Sequence, residues 1–393
     1  MLNFLLLIAL IIFAAKAGGL ASTKLGQPAV LGELIVGLIL GPTVLDLLHW
    51  VPFAAGHYDE VITMLAEVGV ILLMFIAGLE VNLDDMRRAG KVATWAGVLG
   101  VVAPWLMGAA LALLFAYPTQ NSLFIGIILT ATSVSISAQT LIELKVIRSR
   151  EGLALLSAAV IDDVLVILVL SLFLALASST AGGIADAFAV VARMMGFLLV
   201  ASVLGLLFLR PLTRWIERLP ISAGVLAFTV VTTLVFAWSA EALGGVAAIT
   251  GAFLAGLFFA RTHLRENIEE GIHALTYGFF VPIFFVSIGL KANGRTVGWE
   301  GLAFVVSLCV VAIVSKVAGC GLGARIGGFA WKESLRTGIG MVSRGEVGLI
   351  VASVGLAEGL ITETVFSATV IMVLVTTLVT PPLLRQAFKQ AEA

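Results

Sequence analysis

Charge is scarce in this chain. Only 12% of its 393 residues are Asp, Glu, Lys or Arg, about half the share of a soluble domain. That excludes water as the main solvent, and no nucleic-acid partner is expected. Cysteine is nearly absent. Cys309 and Cys320 lie on one expected helix, about 16 Å apart at 1.5 Å per residue, too far for a disulfide between them. They read as small apolar packing residues. Basic residues are missing from Met1-Leu2-Asn3, so the first apolar run is expected to be structure, not a cleaved leader. What remains is 60% hydrophobic, with mean hydropathy +1.13. This is the composition of an all-α polytopic membrane protein. The net charge of −1 identifies no partner, because sign is distributed by membrane side.

Apolar runs long enough to span the bilayer are expected near 3–22, 28–47, 61–80, 91–116, 122–142, 152–178, 189–209, 222–240, 245–260, 274–290, 300–323, 335–357 and 364–384. These thirteen expected spans are called helices 1 to 13. Most Lys and Arg fall in the loops after helices 1, 3, 5, 7, 9 and 11 and in the C-terminal tail, among them Arg87, Arg88, Lys91, Arg210, Arg214 and Arg325. By the positive-inside rule the N-terminus is outside and the C-terminus cytoplasmic. The opposite loop from Asp46 to Glu60, with His49, His57 and Asp59, is acidic. Six tryptophans, including Trp50, Trp215 and Trp331, sit near helix ends as an interfacial belt.

Two passages echo each other. Gly32-Glu33 to Leu38 matches Gly251 to Leu257, and Ala77 to Asn82 matches Ile288 to Asn293. Their common order pairs helices 1–6 with helices 8–13 across a connecting helix 7. One odd crossing inverts the second repeat, an arrangement of many secondary transporters. Helix 5 carries Thr130-Ala131-Thr132-Ser133-Val134-Ser135-Ile136-Ser137, and helix 12 carries Gly340 to Gly348 around Arg344 and Glu346. Dense hydroxyls and glycines weaken helices. Interruptions at matched places in two halves point to a transporter's binding site.

Adjacent carboxylates, Asp162 and Asp163, lie inside the apolar helix 6. A charge at mid-bilayer costs roughly 2.5–3.5 kcal/mol, so two demand a function. Counting from the cytoplasmic basic residues at 1.5 Å per residue puts Asp162 roughly 18 Å deep, Lys316 about 14 Å, Glu346 about 15 Å and Thr132 about 20 Å. Four polar features from four helices share one level. Lys316 is too deep to snorkel and is expected to pair with a carboxylate. Arg344 and Glu346 are expected to form an ion pair bracing helix 12. Glu33 and Glu67 read either as funnel-lining groups or as caps and helix bridges. The histidines, at loops and helix ends, read as solvated groups.

At these residues the chain resembles the NapA-type sodium/proton antiporters of the monovalent cation/proton antiporter superfamily (Kef/NapA branch). The resemblance rests on Gly32-Glu33 to Pro42, Ala131-Thr132-Ser133, Ala159-Val160-Ile161-Asp162-Asp163-Val164, Ser315-Lys316-Val317 and Arg344-Gly345-Glu346-Val347-Gly348-Leu349. It implies a thirteen-helix, NhaA-like inverted-repeat fold with two discontinuous crossing helices. It also implies a homodimer in the lipid bilayer of a bacterial-type cytoplasmic membrane. A core domain of helices 4–6 and 11–13 would slide, elevator-like, against a dimerisation domain made mainly of helices 1–3 and 8–10. By the same resemblance Asp163 binds the cation and Asp162 pairs with Lys316. The related Kef systems carry Gln in place of the first aspartate and a C-terminal nucleotide-binding domain. No such domain is expected here.

In a dry cavity, cations and protons compete for the same carboxylate oxygens, which is the minimum chemistry of an antiporter. The expected cation ligands are Asp163, Asp162 and the Thr132 hydroxyl, with Ser133, Arg344, Glu346, Glu33 and Glu67 in support. Oxygen donors suit a hard ion such as Na+ or Li+, and no cofactor beyond the transported ions is expected. Three titratable groups at one site imply net charge movement per cycle. A K+/H+ antiporter is the alternative within the superfamily. A cation channel would need polarity along the whole bilayer instead of at one level. An intramembrane protease would carry its aspartates on separate helices, so no enzyme is expected. An organic-anion symporter of this general fold would have no use for the lysine beside paired aspartates.

Overall fold

The computed structural model describes residues 2–50, 53, 58–81, 90–177, 184–293, 295 and 299–389. His57, Asn82, Arg87 and Arg88 lie outside the described residues. Among the described residues regular structure is helical, in the order α1 (Leu2–Lys24), α2 (Ala29–Leu40), α3 (Tyr58–Glu80), α4 (Gly90–Leu114), α5 (Thr119–Thr130), α6 (Val134–Glu143), α7 (Arg150–Ala177), α8 (Ile184–Glu217), α9 (Gly224–Ser239), α10 (Ala248–Phe259), α11 (Arg265–Leu275), α12 (Val281–Lys291), α13 (Trp299–Ile326), α14 (Trp331–Gly340), α15 (Glu346–Ala357) and α16 (Glu363–Lys389). Nine helical runs among the described residues are long and apolar enough to cross a membrane, and α2, α10 and α15 are shorter apolar helices. The chain is a multi-pass membrane protein.

Three boundaries differ from expectation for local reasons. Helix 2, expected over 28–47, ends at Leu40. There the Gly41 amide closes on the Gly37 carbonyl at 2.9 Å, and Pro42 has no amide to continue the ladder. Helix 7, expected over 189–209, runs as α8 from Ile184 to Glu217. Its last two turns carry Arg210 and Arg214, which hydropathy does not register as span. Helix 10, expected from 274, begins at Arg265. The amphipathic α11 passes through a π turn, Thr276–Phe280, directly into α12.

The described chain forms two compact units. One comprises residues 1–56, 83–166 and 285–393, the other 57–82 and 167–284, so the boundary falls within α7 and α12. In the first unit α4 and α13 approach backbone to backbone. Gly319 and Gly323 of α13, with Gly327 just past its end, follow at intervals of four, and a Cβ on them would strike the Leu99 carbonyl, the Trp95 carbonyl and the Val92 backbone. Such small-residue seams drive helix association where lipid supplies no hydrophobic force. Ala93, Ala96, Ala158, Ala159 and Cys320 complete a buried core of small side chains. Gly323→Val is therefore expected to overpack the seam by about 1–3 kcal/mol or more. The folded yield in detergent, read by size-exclusion chromatography, should collapse. Gly196→Ala, where nothing lies within 4 Å, is the control that should leave yield unchanged.

The second unit uses the same device. Gly78 of α3 abuts the Phe253 carbonyl of α10, and Gly256 of α10 abuts the Phe75 carbonyl of α3. Phe75 and Phe259 meet edge to face at 5.7 Å in its core. Arg193, an arginine within α8, donates to the carbonyls of Leu243 (2.7 Å) and Ala242 (2.9 Å). Those carbonyls belong to the π turn Ala240–Gly244, where the regular ladder is disturbed.

Candidate functional site

Two helices of the first unit are broken. α5 stops at Thr130 and α6 starts at Val134, while α14 stops at Gly340 and α15 starts at Glu346. Four helix ends in an apolar core leave amides and carbonyls without intrahelical partners. The two breaks satisfy part of that need from each other. Ser133 N–H donates to the Ser343 carbonyl at 2.9 Å. Ser343 Oγ returns a bond to the Ser133 carbonyl at 2.7 Å, and Ser137 Oγ donates to the Gly340 carbonyl at 2.5 Å. The hydroxyl-rich run thus supplies the bonds that join the breaks. Gly345 permits the approach, since a Cβ there would lie 2.6 Å from Ser133 Cβ.

Arg344 and Glu346 do not form the expected ion pair. The Arg344 guanidinium donates from Nη2 to the Ala312 carbonyl at 3.0 Å and from Nη1, at 3.4 Å, to the Met341 carbonyl. Glu346 opens α15, where it engages the Ser133 side chain and its own amide. Helix dipoles explain the separation. The cation follows the negative end of α14 and the anion sits at the positive end of α15, so each charge answers a helix terminus.

Beside the breaks, Lys316 of α13 meets Asp162 of α7 at Nζ–Oδ1 2.7 Å, with both side chains fully buried. The other Asp162 oxygen, Oδ2, is buried without a hydrogen-bond partner. Asp163 is one residue on, about 100° round the helix, and half-buried. The Thr132 residue is 2% exposed and its hydroxyl also lacks a partner. Two residues that sequence reasoning did not single out as site residues enclose the ion pair. A Cβ on Gly100 of α4 would lie 2.5 Å from Cys320 Sγ, 3.4 Å from Asp162 Oδ1 and 3.7 Å from Lys316 Nζ. Cys320 follows Lys316 by one helical turn, a spacing that could have flagged it. Gly100 carries no signal until α4 is packed on α13.

Two further residues were expected in support. Glu33 of α2 is 3% exposed and pairs with Lys16 of α1 at 3.1 Å, so it bridges two helices. Glu67 lies on α3 in the second unit and is exposed.

A buried carboxylate with one oxygen held by an ammonium and the other bare can trade that ammonium for another cation. Residues 7–390 match the family model described as sodium/hydrogen exchanger, transmembrane. The chain belongs to the sodium/hydrogen exchanger family. This exchanger is 38% identical over 386 residues to the Na(+)/H(+)-K(+) antiporter GerN of Bacillus cereus, an alignment covering 98% of this chain and 96% of the relative. It is 34% identical over 404 residues to the Na(+)/H(+) antiporter of Enterococcus hirae, across 100% of both. Its fold is similar to that of the sodium proton antiporter MjNhaP1 from Methanocaldococcus jannaschii, at TM-score 0.74 and 16% identity over 98% of each chain.

Proposed function

We propose that this exchanger is a secondary active transporter that swaps Na+ or Li+ for H+ across the cytoplasmic membrane. The observation that carries the reading is the fully buried Asp162–Lys316 pair with half-buried Asp163 beside it. Asp163, Asp162 and the partnerless Thr132 hydroxyl ligate the incoming cation. Its positive charge replaces that of Lys316 at Asp162, and protons leave as it enters. Protonation on the far side reverses the exchange and restores the pair. Three titratable groups change partners in each cycle, so charge moves and transport is electrogenic.

The remaining architecture is proposed with it. Thirteen spans form inverted repeats of helices 1–6 and 8–13, with the N-terminus outside. The core of helices 4–6 and 11–13 moves, elevator-like, against a dimerisation domain made mainly of helices 1–3 and 8–10. Homodimers in the bilayer hold that domain still. K+/H+ exchange is the second reading, favoured by the likeness to a relative named for both Na+ and K+.

The test is proton flux in liposomes carrying a pH gradient, with Na+, Li+ or K+ added in turn. Na+ and Li+ should collapse the gradient, Asp163→Asn should abolish the effect, and a valinomycin-set potential should change the rate. A response to K+ alone selects the second reading. Wild-type exchange by Asp163→Asn removes the site assignment.

A further inference from the structure

Among the described residues Arg344 is the bulkiest side chain with no exposed surface. Among the described residues no carboxylate lies within ion-pairing distance of it. Desolvating a guanidinium costs several kcal/mol, so its place needs a reason. Its Nη2 donates to the Ala312 carbonyl of α13 at 3.0 Å. In an α-helix that carbonyl is the acceptor for the amide of Lys316, and Ser315 Oγ approaches the same oxygen at 3.4 Å. Arg344 therefore grips the single turn of α13 that carries the lysine. It is held in turn from α16, where Thr377 Oγ1 donates to the Arg344 carbonyl at 2.9 Å.

We infer that Arg344 is a positioning residue for Lys316, holding the Ala312–Lys316 turn where the ammonium reaches Asp162. The inference rests on the proposed exchange at Asp162 and Asp163. Arg344 does not touch the cation. It sets how strongly Lys316 competes with the cation for Asp162, and it couples the break in the α14–α15 helix to that competition. When a cation displaces Lys316, Arg344 keeps the freed lysine's turn in place for the return step. A lysine at position 344 would preserve charge but lack the planar fork that reaches the carbonyl.

The experiment compares Arg344→Gln, Arg344→Lys, Lys316→Ala, the Arg344→Gln/Lys316→Ala double variant and Thr377→Val in proteoliposomes. Apparent KM for Na+ and maximal rate are measured for each, at matched amounts of folded protein. Arg344→Gln should lower KM about tenfold, the factor produced by a change of about 1.4 kcal/mol. The maximal rate should fall, as it should for Lys316→Ala. Arg344→Lys should lie between wild type and Arg344→Gln. The double variant should match Lys316→Ala, because residues acting through one contact are not additive. If Arg344→Gln does not accumulate, Thr377→Val should show the same KM decrease at smaller size. An unchanged KM in Arg344→Gln, or in Thr377→Val as its substitute, overturns the inference, as do additive effects in the double variant. Asp163→Asn, run alongside, separates the two ideas. If it is inactive while Arg344→Gln keeps its KM, the positioning role alone fails. If it exchanges normally, the proposed site fails.

Discussion

Lys316→Met is expected to lower the unfolding stability of the detergent-solubilised protein by about 3–5 kcal/mol, the usual cost of stripping one partner from a buried ion pair. The reason lies in what would be left. Asp162 would keep its burial and lose the 2.7 Å bond from Lys316 Nζ. The small-residue packing around it holds Gly100 and Cys320 against the site and leaves little room for water. Pairing Lys316→Met with Asp162→Asn removes both charges and should recover most of the loss, since a neutral, similarly shaped pair often matches a buried salt bridge. Thermal midpoints from all four proteins give the coupling directly. A Lys316→Met protein as stable as wild type would contradict this expectation.

The second large effect is a division between two neighbouring carboxylates. Asp163→Asn should cost at least about a hundredfold in exchange rate, a barrier increase of about 2.7 kcal/mol or more, with little change in thermal midpoint. Asp162→Asn should do the reverse. It should destabilise the fold by leaving Lys316 buried without its carboxylate, yet retain exchange that no longer responds to a membrane potential. The expectation rests on burial. Asp162 is sealed at 0% exposure whereas Asp163 is half-buried, so the second is placed to meet an arriving ion first and the first joins it only as Lys316 gives way. Equal loss of transport and equal loss of stability in both variants would contradict this division.

Much of this arrangement is legible in the residues. Long apolar runs place α4, α7, α13 and α16 within a few positions of their observed ends, because lipid demands an unbroken backbone ladder. Serine and glycine density marks where α5 and α14 stop. Depth counting puts Lys316 near the level of Asp162, and the structure joins them. What is hidden is whatever depends on one helix meeting another. Gly100 is one glycine among 41 until the α4–α13 seam brings it onto the ion pair. Arg344 and Glu346, two apart, do not share a helix face, and the sequence suggests a pair only by letting the backbone unwind. The helix termini that separate them exist only once the helix has broken. The polar turns of α8 and α11 escape a hydropathy reading because they extend beyond its apolar window.

The ion pair joins residues 154 positions apart, and that interval has a meaning during synthesis. At about 5–20 residues per second the ribosome needs roughly 8–30 s to make the intervening chain. For that time α7 is in the insertion machinery or the lipid with Asp162 and no Lys316 to meet it. The newborn helix therefore passes its insertion with the polar site half made, and the arrival of α13 supplies the ammonium that closes it through the 2.7 Å bond.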